Sequence, residues 1–109
     1  MAKDMTLALL YDCYGALLSP RQQELFEGYY NEDLSLSELA EGFGISRQAA
    51  LQAIHTAEHK LRETEEKLGF CRNLVRTRTL ARQLAEEAAR LPQSEAKDRV
   101  EELARQILQ

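Results

Sequence analysis

Between Ser35 and Leu61 the chain reads SLSELAEGFGISRQAALQAIHTAEHKL, and this run restricts the fold more than any other. Leu36, Leu39 and Ala40 supply the inner side of a short helix. Ser35 stands three residues before Glu38, the spacing of a capping box. Gly42-Phe43-Gly44 then breaks that helix, with Gly44 free to take the positive φ that a tight turn demands. Ser46 is a natural N-cap, its hydroxyl able to accept from an orphan N–H of the first turn. The second helix carries Ala50, Ala53, Ile54, Ala57 and Leu61 at three- and four-residue spacing, a single apolar stripe. Phe43 and Ile45 plug the angle between the two helices, and the small residues Ala40, Ala50 and Ala53 let them cross at close range. Caps, turn glycine, spacing and small residues together spell a helix-turn-helix rather than an unrelated helical hairpin.

The flanking sequence is helical as well. Charged residues reach 29%, mostly helix-favouring Glu, Arg and Lys, while β-branched residues are few and only Pro20 and Pro92 interrupt. The class is therefore all-α. Residues 5–18 read as a first helix burying Leu9, Leu10, Tyr14, Leu17 and Leu18. Ser19-Pro20 opens a second, with Gln22 placed for a capping box and Leu25, Phe26 and one or both of Tyr29 and Tyr30 inward. It runs to Tyr30, and Asn31-Glu32-Asp33 turns into the helix-turn-helix. The long helix from Arg47 reaches Leu68, where Gly69 supplies the stop. Beyond it Leu74, Ala81, Leu84, Ala88 and Leu91 recur at near-heptad spacing up to Pro92. Ser94 caps a last helix carrying Val100, Leu103, Ala104, Ile107 and Leu108. This divides the chain into a helix-turn-helix domain, 1–69, and a C-terminal amphipathic extension, 70–109. The extension either folds back on the domain or pairs with a second copy, and the homodimer is the favoured expectation.

Several function classes fall away. Cys13 and Cys71 make no disulfide framework, and two histidines cannot complete a zinc site around them, so both read as buried or half-buried free thiols of a reducing cytosol. Asp12 interrupts the short apolar run near the start, no small-residue cleavage site follows it, and no stretch approaches the ~20 apolar residues of a membrane span. The expected location is the cytoplasm. No phosphate-cradling glycine loop, nucleophile elbow or defensible carboxylate pair is present, so no enzyme and no cofactor are expected.

The chemistry that remains is binding. With Ala50, Ile54, Ala57 and Leu61 inward, steps of ~100° per residue turn Gln48, Gln52, His55 and His59 outward. Ser46 and Arg47 flank that surface at the helix start. Glutamine can pair with adenine and arginine with guanine, and a capped helix start can seat a phosphate. Charge pulls the other way. Residues 1–45 sum to −6 and residues 46–70 to zero, with Glu58, Glu63, Glu65 and Glu66 on the long helix itself. Duplex affinity rests on cationic side chains. Only Cys71 to Gln83 is distinctly basic, with Arg72, Arg76, Arg78 and Arg82 and no acid, as for an anionic partner such as RNA or an acidic protein surface. His55 and His59 have a metal-chelating spacing, but Thr56 stands where a zincin carries Glu, and two solvated polar residues are the better reading. The four tyrosines read as core or hydroxyl-tethered packing rather than stacking platforms.

Ser19-Pro20-Arg21-Gln22, the run from Tyr29 to Leu36, Glu38-Leu39-Ala40 and Ile45-Ser46-Arg47-Gln48-Ala49 carry a likeness, together with Leu10-Tyr11-Asp12, Tyr14 and Leu17-Leu18 before them. Over residues 5–70 the chain resembles the YlxM family of small bacterial helix-turn-helix proteins, itself similar to the promoter-binding C-terminal domain of sigma factors. The resemblance implies a regulatory role in the signal recognition particle pathway of co-translational targeting, with the particle's RNA or its protein component as partner. The sigma-like likeness implies DNA contact through Arg47, Gln48 and Gln52. Two other readings stay open: a dimeric sequence-specific DNA-binding regulator, and a protein–protein module docking RNA polymerase.

Overall fold

The computed structural model describes residues 4–109. Those residues form six α-helices with no strand: α1 (Met5–Tyr14), α2 (Pro20–Tyr30), α3 (Leu36–Phe43), α4 (Arg47–Leu68), α5 (Phe70–Ala89) and α6 (Glu95–Leu108), with a 3-10 turn at Gly15–Leu17. They divide into two compact units, one ending at Gly69 and the other spanning Phe70–Gln109.

In the first unit α1, α2 and α3 each pack on α4, whose inner row is Ala50, Ile54, Ala57 and Leu61. The helix-turn-helix expected from Ser35 to Leu61 is present. Ser35 and Glu38 close a reciprocal capping box at the start of α3, as Ser19 and Gln22 do for α2. Gly44 ends α3 at φ 64°, and the Ile45 N–H returns to the Ala40 carbonyl at 3.0 Å, the Schellman arrangement that satisfies orphan carbonyls while turning the chain. Leu25, Leu39 and Ile54 form the core of the angle, with Phe43 and Ile45 packed against them. Gly69 stops α4 in the left-handed region.

The first helix is shorter than expected, and its buried side differs. It ends at Tyr14 rather than running through residue 18, and Leu9 and Leu17 are exposed while Leu7, Leu10, Tyr14 and Leu18 are buried. Pro20 disfavours helical geometry at Ser19, which is extended as the N-cap of α2. The chain therefore tightens into the 3-10 turn, swinging Leu18 inward. The Gln23 side-chain amide donates to the carbonyls of Gly15 at 2.9 Å and Leu18 at 3.3 Å.

Three tyrosine–glutamate hydrogen bonds tie this unit across its helices. Tyr11 donates to Glu27 at 2.6 Å, Tyr14 to Glu65 at 2.6 Å, and Tyr30 to Glu58. Phe26, fully buried, stacks between the Tyr11 and Tyr30 rings at 4.6 and 4.3 Å. Desolvation first, then the facing carboxylate, pushes the Tyr11 hydroxyl up to about 12 and raises Tyr30 further. A phenol raised on folding holds its proton longer than in the unfolded chain. Its stabilisation is thus intact below the ordinary phenol pKa of about 10 and fades as pH climbs from there through the raised value. Melting temperature should accordingly fall between about pH 10 and 12. Tyr30→Phe should cost about 1–2 kcal/mol near neutrality and make that alkaline fall shallower; an unchanged slope would contradict the Tyr30 contribution.

In the second unit α5 and α6 pack on one another as a hairpin through the connection at 90–94. Ser94 caps α6 by accepting from the Lys97 N–H at 3.0 Å. The inner seam is not the one expected. Ala81, Ala88 and Ala104 are buried, whereas Leu84, Leu91, Leu103 and Ile107 stay substantially in water. Alanines permit the close approach of two helices, and that approach leaves the larger side chains no room between them.

Candidate nucleic-acid interface

The inner row of α4 determines its opposite side. One helical face presents Gln48, Gln52, Thr56, His59 and Glu63, all exposed. Arg47, exposed, opens the helix beside them. Thr56 was not among the expected contact residues. The three- and four-residue spacing that placed Gln48, Gln52 and His59 outward includes it equally. Its hydroxyl donates to the Gln52 carbonyl at 2.9 Å and lies 3.5 Å from the Gln52 amide nitrogen, restraining that side chain.

Ser46 and His55 sit differently from the central face. The Ser46 hydroxyl accepts from the Ala49 N–H at 3.0 Å, so it serves as the helix cap. Ahead of that bond, the N–H groups of Arg47 and Gln48 have no intrahelical carbonyl within reach, because the helix starts there. His55 is exposed on one edge and lines a cavity of about 220 Å³ with Tyr30, Leu51, Glu58 and Arg62. It is the flank of the surface.

The acids of α4 lie largely elsewhere. Glu58 and Glu65 are half-buried, turned toward α2 and α1 to accept from Tyr30 and Tyr14. Glu63 is outward but bracketed by Lys67 at 2.8 Å and His59 at 3.3 Å, and the Lys67 ammonium holds its carboxyl below the usual range. Glu66 remains exposed near the C-terminal end. From Arg47 to Ala57 the helix carries an arginine and a histidine and no acid. Its neutral total charge therefore conceals an acid-free leading half, the part that enters a groove in helix-turn-helix complexes.

The arginines of α5 do not form one stripe. Arg72 and Arg76 share one side, while Arg78 and Arg82 lie roughly 120° around the helix from them. Arg72, Arg76 and Arg82 are exposed and Arg78 is half-buried. Among the described residues no group of three or more His, Cys, Asp or Glu side chains is placed to hold a metal ion, and no helix is long and apolar enough to cross a membrane.

Comparison with known proteins agrees with this architecture. Residues 1–102 match the family described as "Putative helix-turn-helix protein, YlxM / p13 like". The chain is 45% identical over 91 residues to a UPF0122 protein of Symbiobacterium thermophilum, covering 84% of this chain and 85% of that one. It is 40% identical over 90 residues to a UPF0122 protein of Geobacillus kaustophilus, covering 83% and 82%. A third relative, from Caldanaerobacter subterraneus, is 52% identical over 64 residues, which span 59% of this chain and 55% of that one. With the turn at Gly44, the capped pair α3–α4 and a match across nearly its whole length, the chain belongs to the YlxM / p13-like helix-turn-helix family.

Proposed function

We propose that the protein is a non-catalytic, nucleic-acid-binding regulator that works in the cytoplasm as a homodimer and takes part in the signal recognition particle pathway. The observation that carries the binding reading is the acid-free leading half of α4, with Arg47 at its start and Gln48, Gln52 and Thr56 outward. Glutamine and arginine there have the donors and acceptors to read base edges in a B-DNA major groove or the unstacked bases of an RNA loop. The pathway assignment rests on the YlxM resemblance. Arg72 and Arg76, exposed on one side of α5, offer phosphate contacts that suit the particle's RNA.

The test is to titrate the particle's RNA and an unrelated DNA duplex at several salt concentrations. RNA binding is expected, with log affinity falling linearly in log salt. Arg72→Glu with Arg76→Glu should reduce that slope by about one to two and weaken binding at least tenfold. Binding unchanged by the pair removes α5 from the interface. Tight, sequence-selective DNA binding with no RNA affinity would favour a transcription regulator instead.

A further inference from the structure

We propose that the outer face of the α5–α6 hairpin is the seam on which two copies of this chain pair, forming a four-helix bundle. This locates the homodimer and rests on that part of the functional reading, not on nucleic-acid binding. Leu80 and Leu84 on α5 and Leu91 just past its end are 53%, 48% and 54% exposed, and Leu103 and Ile107 on α6 are 41% and 44% exposed. Besides Phe70 and Val75, five large aliphatic side chains thus face water in a unit whose inner seam is built from Ala81, Ala88 and Ala104.

Their spacing identifies the partner's chemistry. Along α5, Thr77, Leu80, Leu84 and Glu87 alternate steps of three and four residues; along α6, Ala96, Val100, Leu103 and Ile107 do the same. That is the a/d pattern of helices packing side by side. On each helix this row is displaced from the alanine row by roughly 70° in the same rotational sense, which in an antiparallel pair brings both rows to one face. A surface with two parallel heptad rows accepts another surface of the same kind, and a second copy of this hairpin has one.

Size points the same way. The five side chains leave on the order of 450 Å² of apolar surface in water, the size of the largest patch on an ordinary monomer, which is often functional. Two such faces with their polar rims come to about 1,200 Å², where stable interfaces begin. A stretch of 40 residues in two helices is also at the size where folded units generally need oligomerisation, metal or disulfides. With the two-fold axis along the helices, α5 of one copy lies over α6 of the other and every neighbouring pair runs antiparallel.

Sedimentation or light-scattering mass of the full chain at micromolar concentration tests this. The wild type should have twice the chain mass. Leu84→Glu with Leu103→Glu should associate at least a hundredfold more weakly while keeping its helical circular dichroism. Should that pair unfold the hairpin, Leu84→Ser with Ile107→Ser, both at side chains already half in water, should still weaken association at least tenfold. A monomeric wild type overturns the homodimer and this surface together. A dimer that survives the folded variants overturns the surface alone and leaves the homodimer standing.

Discussion

Gly28→Val should destabilise the helix-turn-helix unit by roughly 2–3 kcal/mol, the cost of forcing bulk into a packed core. A Cβ at Gly28 would lie 2.7 Å from a Leu39 methyl and 3.5 Å from Leu34. Leu39 cannot swing into water to yield, because it is buried between Leu25 and Ile54 in the angle of the helix-turn-helix. Valine's two γ-carbons worsen the overlap, and its slightly better helix propensity than glycine recovers only a few tenths of a kcal/mol. Gly42→Ala is the matched control. That glycine lies in α3 with nothing within 4 Å of its added Cβ, so the change should stabilise by about 0.5–1 kcal/mol. Denaturant midpoints for the two variants measure both signs. Equal midpoints would mean that α2 and α3 do not approach as closely as described.

Gln52→Glu should reduce nucleic-acid affinity at least tenfold, about 1.4 kcal/mol, without altering the fold. Gln52 is exposed, and its amide nitrogen is 3.5 Å from the Thr56 hydroxyl, so the substitution changes no core contact. It replaces a donor–acceptor pair with an acceptor bearing charge, beside phosphates. Arg47→Glu at the helix start should act in the same direction and also lower the salt slope by about one. Asp12→Asn, exposed on α1, is the neutral comparison. A fluorescence titration at fixed salt gives the ratio. Affinity that is indifferent to Gln52 and Arg47 would take α4 out of the interface.

Much of this was legible in the sequence wherever the controlling signal was local. Ser35 with Glu38, Ser46, Gly44 and Gly69 mark the helix ends because a cap or a left-handed residue acts within four positions. The inner row of α4 followed from spacing alone. The end of α1 did not, because the apolar pattern continues to Leu18 while the backbone must already bend for Ser19-Pro20. Nor could spacing say which acids of α4 face inward: Glu65 is held by Tyr14, 51 residues away, and Glu58 by Tyr30, 28 residues away. In the tail, alanine and leucine rows are both periodic. Which row closes the hairpin depends on how near two helices can come, a property of the pair and not of either helix. Thr56 was hidden for another reason: it entered only as the residue that spoils a metal motif.

The most direct test of the central claim is an amide chemical-shift map of the protein titrated with nucleic acid, using the RNA of the signal recognition particle and a DNA duplex in turn. Perturbations clustered on Arg47, Gln48, Gln52, Thr56 and His59, fading at higher salt, are the predicted result. Shifts confined to other helices, or none at low salt with either ligand, would contradict it.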